Sequence, residues 1–264
     1  MLRLISSNSI EDLASALASE LSRHKPTNPL TPQRVLISTN AMSRWLALAL
    51  SERIGICAGI EFDFAGRHLR QLILSLDGRL STGQQDPWDP SQLRWHLAQL
   101  IPELPETKLW EPLRQLWQQG PPQQAKRLDA QRLHLVLQLS DTLDQYGLYR
   151  PVMVRRWLAG DNVDCYNAPL ASHLNWQPAL LRQLAQQLEP SGVPHPAERL
   201  LNALQQSQHC SEHSEPLHVF GLSSLPPALW QLLAQRASTA GTPVVLYQLS
   251  PSLDPWGSVP PSHQ

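Results

Sequence analysis

The first sixty residues alternate between short apolar runs and amphipathic stretches. "LRLI" and "RVLIS" are apolar runs bounded by polar residues, as expected of strands covered on both faces. Ile10 to Leu21 and Ala41 to Ile54 place apolar residues at three- and four-residue intervals, which predicts helices. Gly55 suits a left-handed helix end, and "GICAGIEFDF" predicts a third strand around Ile60 to Phe62. Alternating strands and helices imply a parallel sheet, because parallel strands need a crossover between them.

Beyond Arg67 the pattern changes to helical segments rich in Leu, Gln and Trp, separated by breakers such as "DPWDP", "GPPQQ" and "EPSGVPHP". This predicts an all-helical insertion. Strand-turn-helix grammar returns at "LHVFGLSSLPPALWQLLAQRA", and "TPVVLYQLS" adds a buried strand. The expected organisation is an α/β domain over residues 1–66 and 215–264, split by a helical domain at 67–214. The tail "PSLDPWGSVPPSHQ" has no periodicity, and a sheet ending there looks unfinished, so the expectation is the amino-terminal part of a longer protein. The glutamines fall within helical patterns and form no low-complexity tract.

Composition narrows the function classes. Of 264 residues, 42% are apolar and 16% charged, and no apolar run reaches the length of a membrane span. The start "MLRLISSNS" is too short for a secretory signal, so the expected compartment is the cytoplasm. Cys57, Cys165 and Cys210 are far apart, which argues against a disulfide framework or a CxxC metal site and for reduced, mostly packed thiols. A formal charge of −1 excludes nucleic-acid binding by bulk electrostatics, so any such contact is local or shared with another chain.

The turn after "LRLI" is where a phosphate-binding loop would sit. Such a loop needs glycines, so that successive N–H groups can face the anion, and a lysine for the outer phosphates. This chain has Ser6, Ser7, Asn8 and Ser9, followed by Glu11 and Asp12. Leu217 to Gln235 contains no acid to hold Mg²⁺, and Gly221 and Ser223 stand where one would be wanted. ATP hydrolysis is therefore disfavoured, and no GxSxG or HExxH motif offers another catalytic centre. Asp141, Asp144 and Gln145 share a helix face, but no histidine lies within a turn of them, so a solvated polar face is preferred over a metal site. "HCSEH", His209 to His213, is read as loop. No cofactor, metal or catalytic residue is assigned.

Four stretches resemble one family in order: "MLRLISSN", "STNAMSRWLALALSERIGICAGIEFDF", "LDQYGLYRP" and "VFGLSSLPPALWQLL". They are similar to RecC, the gamma chain of exodeoxyribonuclease V in the RecBCD helicase-nuclease. The resemblance implies a superfamily 1 helicase-like, P-loop-type α/β domain with its ATPase motifs lost and a helical insertion. It also implies a non-catalytic scaffold between RecB-like and RecD-like subunits of an ATP-dependent exonuclease. Such a scaffold splits duplex DNA and passes one strand through a tunnel that scans for a Chi-like sequence.

The family's strand-reading positions map onto Ser38, Asn40, Arg44, Phe64, Arg70, Asp141, Thr142, Asp144 and Gln145. Asn40 is a candidate N-cap, and Arg44 lies one turn further on the same face. Arg44 suits a guanine edge or a phosphate, Asn40 an adenine, Asp144 a cytosine amino group, and Phe64 a stacked base. Each has a plainer role: a cap for Asn40, solvated or ion-paired arginines for Arg44 and Arg70, and a core ring for Phe64. Trp45 is expected to pack inward with Met42, Leu46 and Ala49. Ser38 and Arg44 stand where well-studied members carry amides, and "PHPAE" lacks an expected basic residue. The sequence recognised would therefore differ, or recognition itself would be lost. An interaction scaffold without DNA sequence reading is the alternative.

Overall fold

A computed structural model of the chain describes residues 2–26, 28, 30–77, 85–118, 129–206, 216–222, 225–239 and 243–251. Ser223, "GPPQQ", "HCSEH" with Cys210, and nearly all of the tail lie outside them. The described residues form two compact units, residues 1–71 with 207–264 and residues 72–206.

The first unit builds the amino-terminal alternation as β1 (Leu2–Ser7), α1 (Ile10–Arg23), β2 (Gln33–Ile37), α2 (Asn40–Ile54), β3 (Ile60–Phe64) and α3 (Ala65–Asp77), the last running into the second unit. It closes with β4 (Leu217–Phe220), α10 (Pro227–Thr239) and β5 (Val244–Leu249), α4 to α9 belonging to the second unit. All five strands are parallel, in the order β1-β5-β4-β2-β3. The expected α/β class with a parallel sheet is what forms, and the third strand runs two residues further than predicted.

Burial explains the apolar runs. Val35, Leu36 and Ile37 of β2 are at most 1% exposed, and every residue of β4 is buried, as in a sheet covered on both faces. Leu13, Ala14, Leu17, Ala18 and Leu21 of α1 face this core, together with Leu46, Ala49 and Leu50 of α2. Met42 and Trp45 pack against it as expected, with the Trp45 and Phe220 rings 6.4 Å apart. Gly55 ends α2 with a positive φ of 85°, but its ψ of −50° places it outside the left-handed helical basin predicted for it.

One buried polar group in this core is unusually placed. His218 of β4 is fully buried, with Nδ1 3.1 Å from the Tyr247 hydroxyl. Burial lowers its pKa to about 4, with Glu20 opposing that shift and His24 adding to it. Burial and Glu20 raise the Tyr247 pKa, so the hydroxyl stays protonated.

The second unit contains α4 (Pro90–Leu100), α5 (Glu111–Gln118), α6 (Ala130–Tyr149), α7 (Pro151–Leu158), α8 (Trp176–Leu188) and α9 (Pro196–Gln206). The breaker "DPWDP" acts as the sequence suggests: Asp89 caps α4 through the Ser91 N–H and Pro90 opens it. Trp88, Trp110, Trp117 and Trp157 are buried among leucines, each burial worth roughly 2–3 kcal/mol. Buried indoles also need acceptors, and Trp88 and Trp157 donate to the carbonyls of Val193 and Val163. The thiols depart from expectation. Cys57 is half-buried, which raises its pKa, but Cys165 is exposed rather than packed.

Candidate nucleic-acid interface

The connections leaving β2 and β4 run in opposite directions, β2 to β3 on one side and β4 to β5 on the other. Adjacent strands that part in this way leave a crevice beyond their carboxyl ends, where open α/β sheets receive ligands. Leu36 is level with Val219, and Ile37 with Phe64. The carboxyl ends of β4, β2 and β3 therefore stand in a row, presenting Gly221, Ser38 and the Phe64–Ala65 junction. Gly221 has a φ of 61°, and a Cβ there would lie 3.6 Å from the Met42 methyl.

Ser38, Asn40 and Arg44 are all exposed on this edge. Asn40 is not the helix cap. Thr39 is, its hydroxyl accepting from the Met42 N–H at 3.1 Å, while Asn40 is the first residue inside α2. Both residue types cap helices, and the extended backbone of Thr39 decides between them. The Asn40 amide is thereby released from a structural duty, and Arg44 follows it one turn later. The helix places both on one exposed face, and among the described residues no hydrogen bond or ion pair engages either side chain.

Phe64 is half-buried and packs against the sheet core. It is not the open stacking ring expected, because the Arg67 guanidinium lies 5.5 Å from its centroid. The charged neighbour Asp63 is 3% exposed, within ion-pair distance of Arg67 and His68. Arg70 is half-buried on α3, less open to solvent than Arg44. Arg67 was passed over in the sequence, although its position three residues after Phe64, with a helix beginning at Ala65, was a usable signal.

The remaining candidates lie in the second unit, on α6. Asp141 and Thr142 are exposed and line a groove of about 470 Å³ with Leu116, Tyr146, Trp176 and Gln177. Asp144 is half-buried and Gln145 exposed, and neither lines that groove. The Thr142 hydroxyl donates to the Gln138 carbonyl at 2.7 Å, leaving its lone pairs toward solvent. Tyr146 and Trp176 escaped the sequence reading because they come from different helices. In "PHPAE", His195 is buried. Its Nδ1 accepts from the Ala197 N–H, and burial followed by the nearby Arg199 charge lowers its pKa to about 3.

The turn between β1 and α1 is closed on itself. The Ser9 hydroxyl accepts from the Asp12 N–H at 3.2 Å and donates to the Glu11 carboxylate. The Ser7 hydroxyl accepts from the Ser9 N–H at 3.1 Å, and the Ser7 carbonyl from the Ser250 N–H at 2.8 Å. The Ser9 and Asp12 N–H groups already have partners, beside two acids.

Residues 2–264 match the family described as RecC, N-terminal domain. The chain belongs to that family. The RecBCD enzyme subunit RecC of Escherichia coli K12 is 26% identical over 88% of this chain, and that of Haemophilus influenzae is 23% identical over 96%. The RecC of Mycolicibacterium smegmatis is 28% identical over 86%. The match spans 20%, 24% and 19% of those RecC proteins, so the chain corresponds to about a fifth to a quarter of their length. Among the described residues, no helix is long and apolar enough to cross a membrane.

Proposed function

We propose that this chain is a non-catalytic, DNA-contacting scaffold region of a RecBCD-type exodeoxyribonuclease V complex acting in recombinational repair of double-strand breaks. Its partners are RecB-like and RecD-like motor subunits, with duplex and single-stranded DNA as the substrate they share. Family membership supports the complex. Support for DNA contact comes from one observation above the others: exposed Ser38 in the turn after β2, and exposed Asn40 and Arg44 at the start of α2, stand at the carboxyl edge of the sheet.

The same logic that favours a scaffold speaks against an ATPase role. An all-parallel sheet, with a helical segment between β3 and β4, fits the helicase-like, P-loop-type domain the resemblance implies. The β1–α1 turn, however, already engages its Ser9 and Asp12 N–H groups, and Gly221 follows β4 where an acid would be wanted. On the sheet edge, Arg44 forks onto a guanine edge or phosphate and Asn40 addresses adenine; within the helical unit, Asp144 is a separate candidate to accept from a cytosine amino group. Reading of a Chi-like sequence follows from such contacts.

The test is made in the assembled complex. Asn40→Ala and Arg44→Ala reduce the response to particular DNA sequences by roughly tenfold each, the discrimination of a good side-chain-to-base pair, without loss of assembly. Lost assembly with an unchanged sequence response would instead identify a pure interaction scaffold. That second reading is favoured by exposed Trp95 and Leu116 on the helical unit, at 49% and 44%.

A further inference from the structure

We propose that Arg67, and not Phe64, forms the stacking and phosphate-contacting surface at the end of β3, with single-stranded nucleic acid as its ligand. This rests on the DNA-path reading above and assigns a residue that reading did not include. Phe64 has little ring left to offer, because the sheet core holds one part and the Arg67 guanidinium covers another at 5.5 Å. What reaches solvent at this place is the guanidinium itself, on a side chain 64% exposed.

The guanidinium is held rather than loose. Asp63 is 3% exposed, and its Oδ1 accepts from the Phe64 N–H at 2.8 Å, which fixes the carboxylate. That oxygen lies 3.8 Å from the Arg67 Nε, so one edge of the plane faces a fixed negative charge and one face rests on the ring. Among the described residues, no acceptor takes a hydrogen bond from the two terminal nitrogens. A planar cation supported in this way can stack on an unpaired base and fork onto a phosphate at the same time. The row of strand ends places it on the same edge as Ser38, since Ile37 and Phe64 are level. The plainer role is a helix arginine that steadies the start of α3 through its ring contact.

The two roles differ in how binding responds to salt. Binding of the 264-residue chain to fluorescent dT20 is followed by anisotropy from 20 to 200 mM NaCl, for wild type, Arg67→Ala, Arg67→Lys and Phe64→Leu. Arg67→Ala lowers the slope of log K against log salt by about 0.7 and weakens binding about tenfold at the lowest salt. Arg67→Lys restores the slope but leaves binding about threefold weak, because the charge returns without the plane. Phe64→Leu leaves the slope unchanged. Wild-type slope and affinity in Arg67→Ala, alongside losses in Asn40→Ala or Arg44→Ala, would overturn the Arg67 assignment and leave the DNA path standing. A wild-type chain that fails to bind dT20 at 20 mM NaCl would overturn both.

Discussion

The Thr39 hydroxyl, and not the neighbouring Asn40 amide, holds the Met42 N–H that opens α2. The cap that stabilises the helix and the neighbouring candidate contact residue can therefore be varied separately. Thr39→Ala is expected to cost about 1 kcal/mol in urea unfolding, and Asn40→Ala less than about 0.5 kcal/mol. A large stability loss in Asn40→Ala would return the capping role to that residue.

In the helical unit, Arg199 is 3% exposed and pairs through Nη2 with Asp86, while its Nε and Nη1 have no acceptor among the described residues. Removing one member of a buried pair strands the other charge. Arg199→Met should destabilise by about 3 kcal/mol, and adding Asp86→Asn should recover part of that loss. Thermal unfolding of the two single variants and the double variant gives the coupling directly.

Acid should weaken the fold before its carboxylates titrate. His195 and His218 are neutral in the native state, with pKa values lowered to about 3 and about 4, while in the unfolded chain they take protons near pH 6.5. Their stabilisation is present above about pH 6.5 and is lost as pH falls toward those native values. The loss is up to about 2 kcal/mol per histidine between pH 6.5 and 5. Glu20 adds to the loss at lower pH. Burial raises its pKa, but the hydrogen bonds and charges of Arg3 and Arg23 together bring it below the usual value. The gap between urea midpoints at pH 7 and 5 should narrow in His195→Gln and in His218→Gln, each variant removing one histidine's share of the loss.

Gly221 tests the crevice. Its φ of 61° is costly for a side chain, whereas the Met42 methyl at 3.6 Å leaves room for one. Gly221→Ala should therefore cost about 1 kcal/mol through backbone strain alone, and shortening Met42 should not relieve it. Relief in a Met42→Ala background would mean that crowding, not φ, is the cause.

The first two strands and helices were legible because apolar runs of four and five residues, followed by three-to-four spacing, allow few other folds. "EFDF" was legible in part. Its alternation allowed either phenylalanine a place in the core, and both rings are half-buried against it, but the fully buried position is Asp63. A parallel strand at a sheet edge does not have one wet face and one dry face, so a period of two loses its meaning there. The Thr39 cap differed by one residue, at the scale where helix ends are always ambiguous. The groove beside Asp141 and Thr142 depends on α6 meeting α8, and no local pattern encodes which side chains of two helices will face each other.

The hydrogen-bonded turn after β1 makes a phosphate site hard to build there. Writing glycines over Ser7 and Ser9 would free the N–H groups for an anion, but the same change removes the hydroxyl that starts α1. A chain that acquired glycines there would first pass through a destabilised intermediate with no new activity to select. The present hydrogen bonds act as a ratchet that holds the start of α1 in place against such a change.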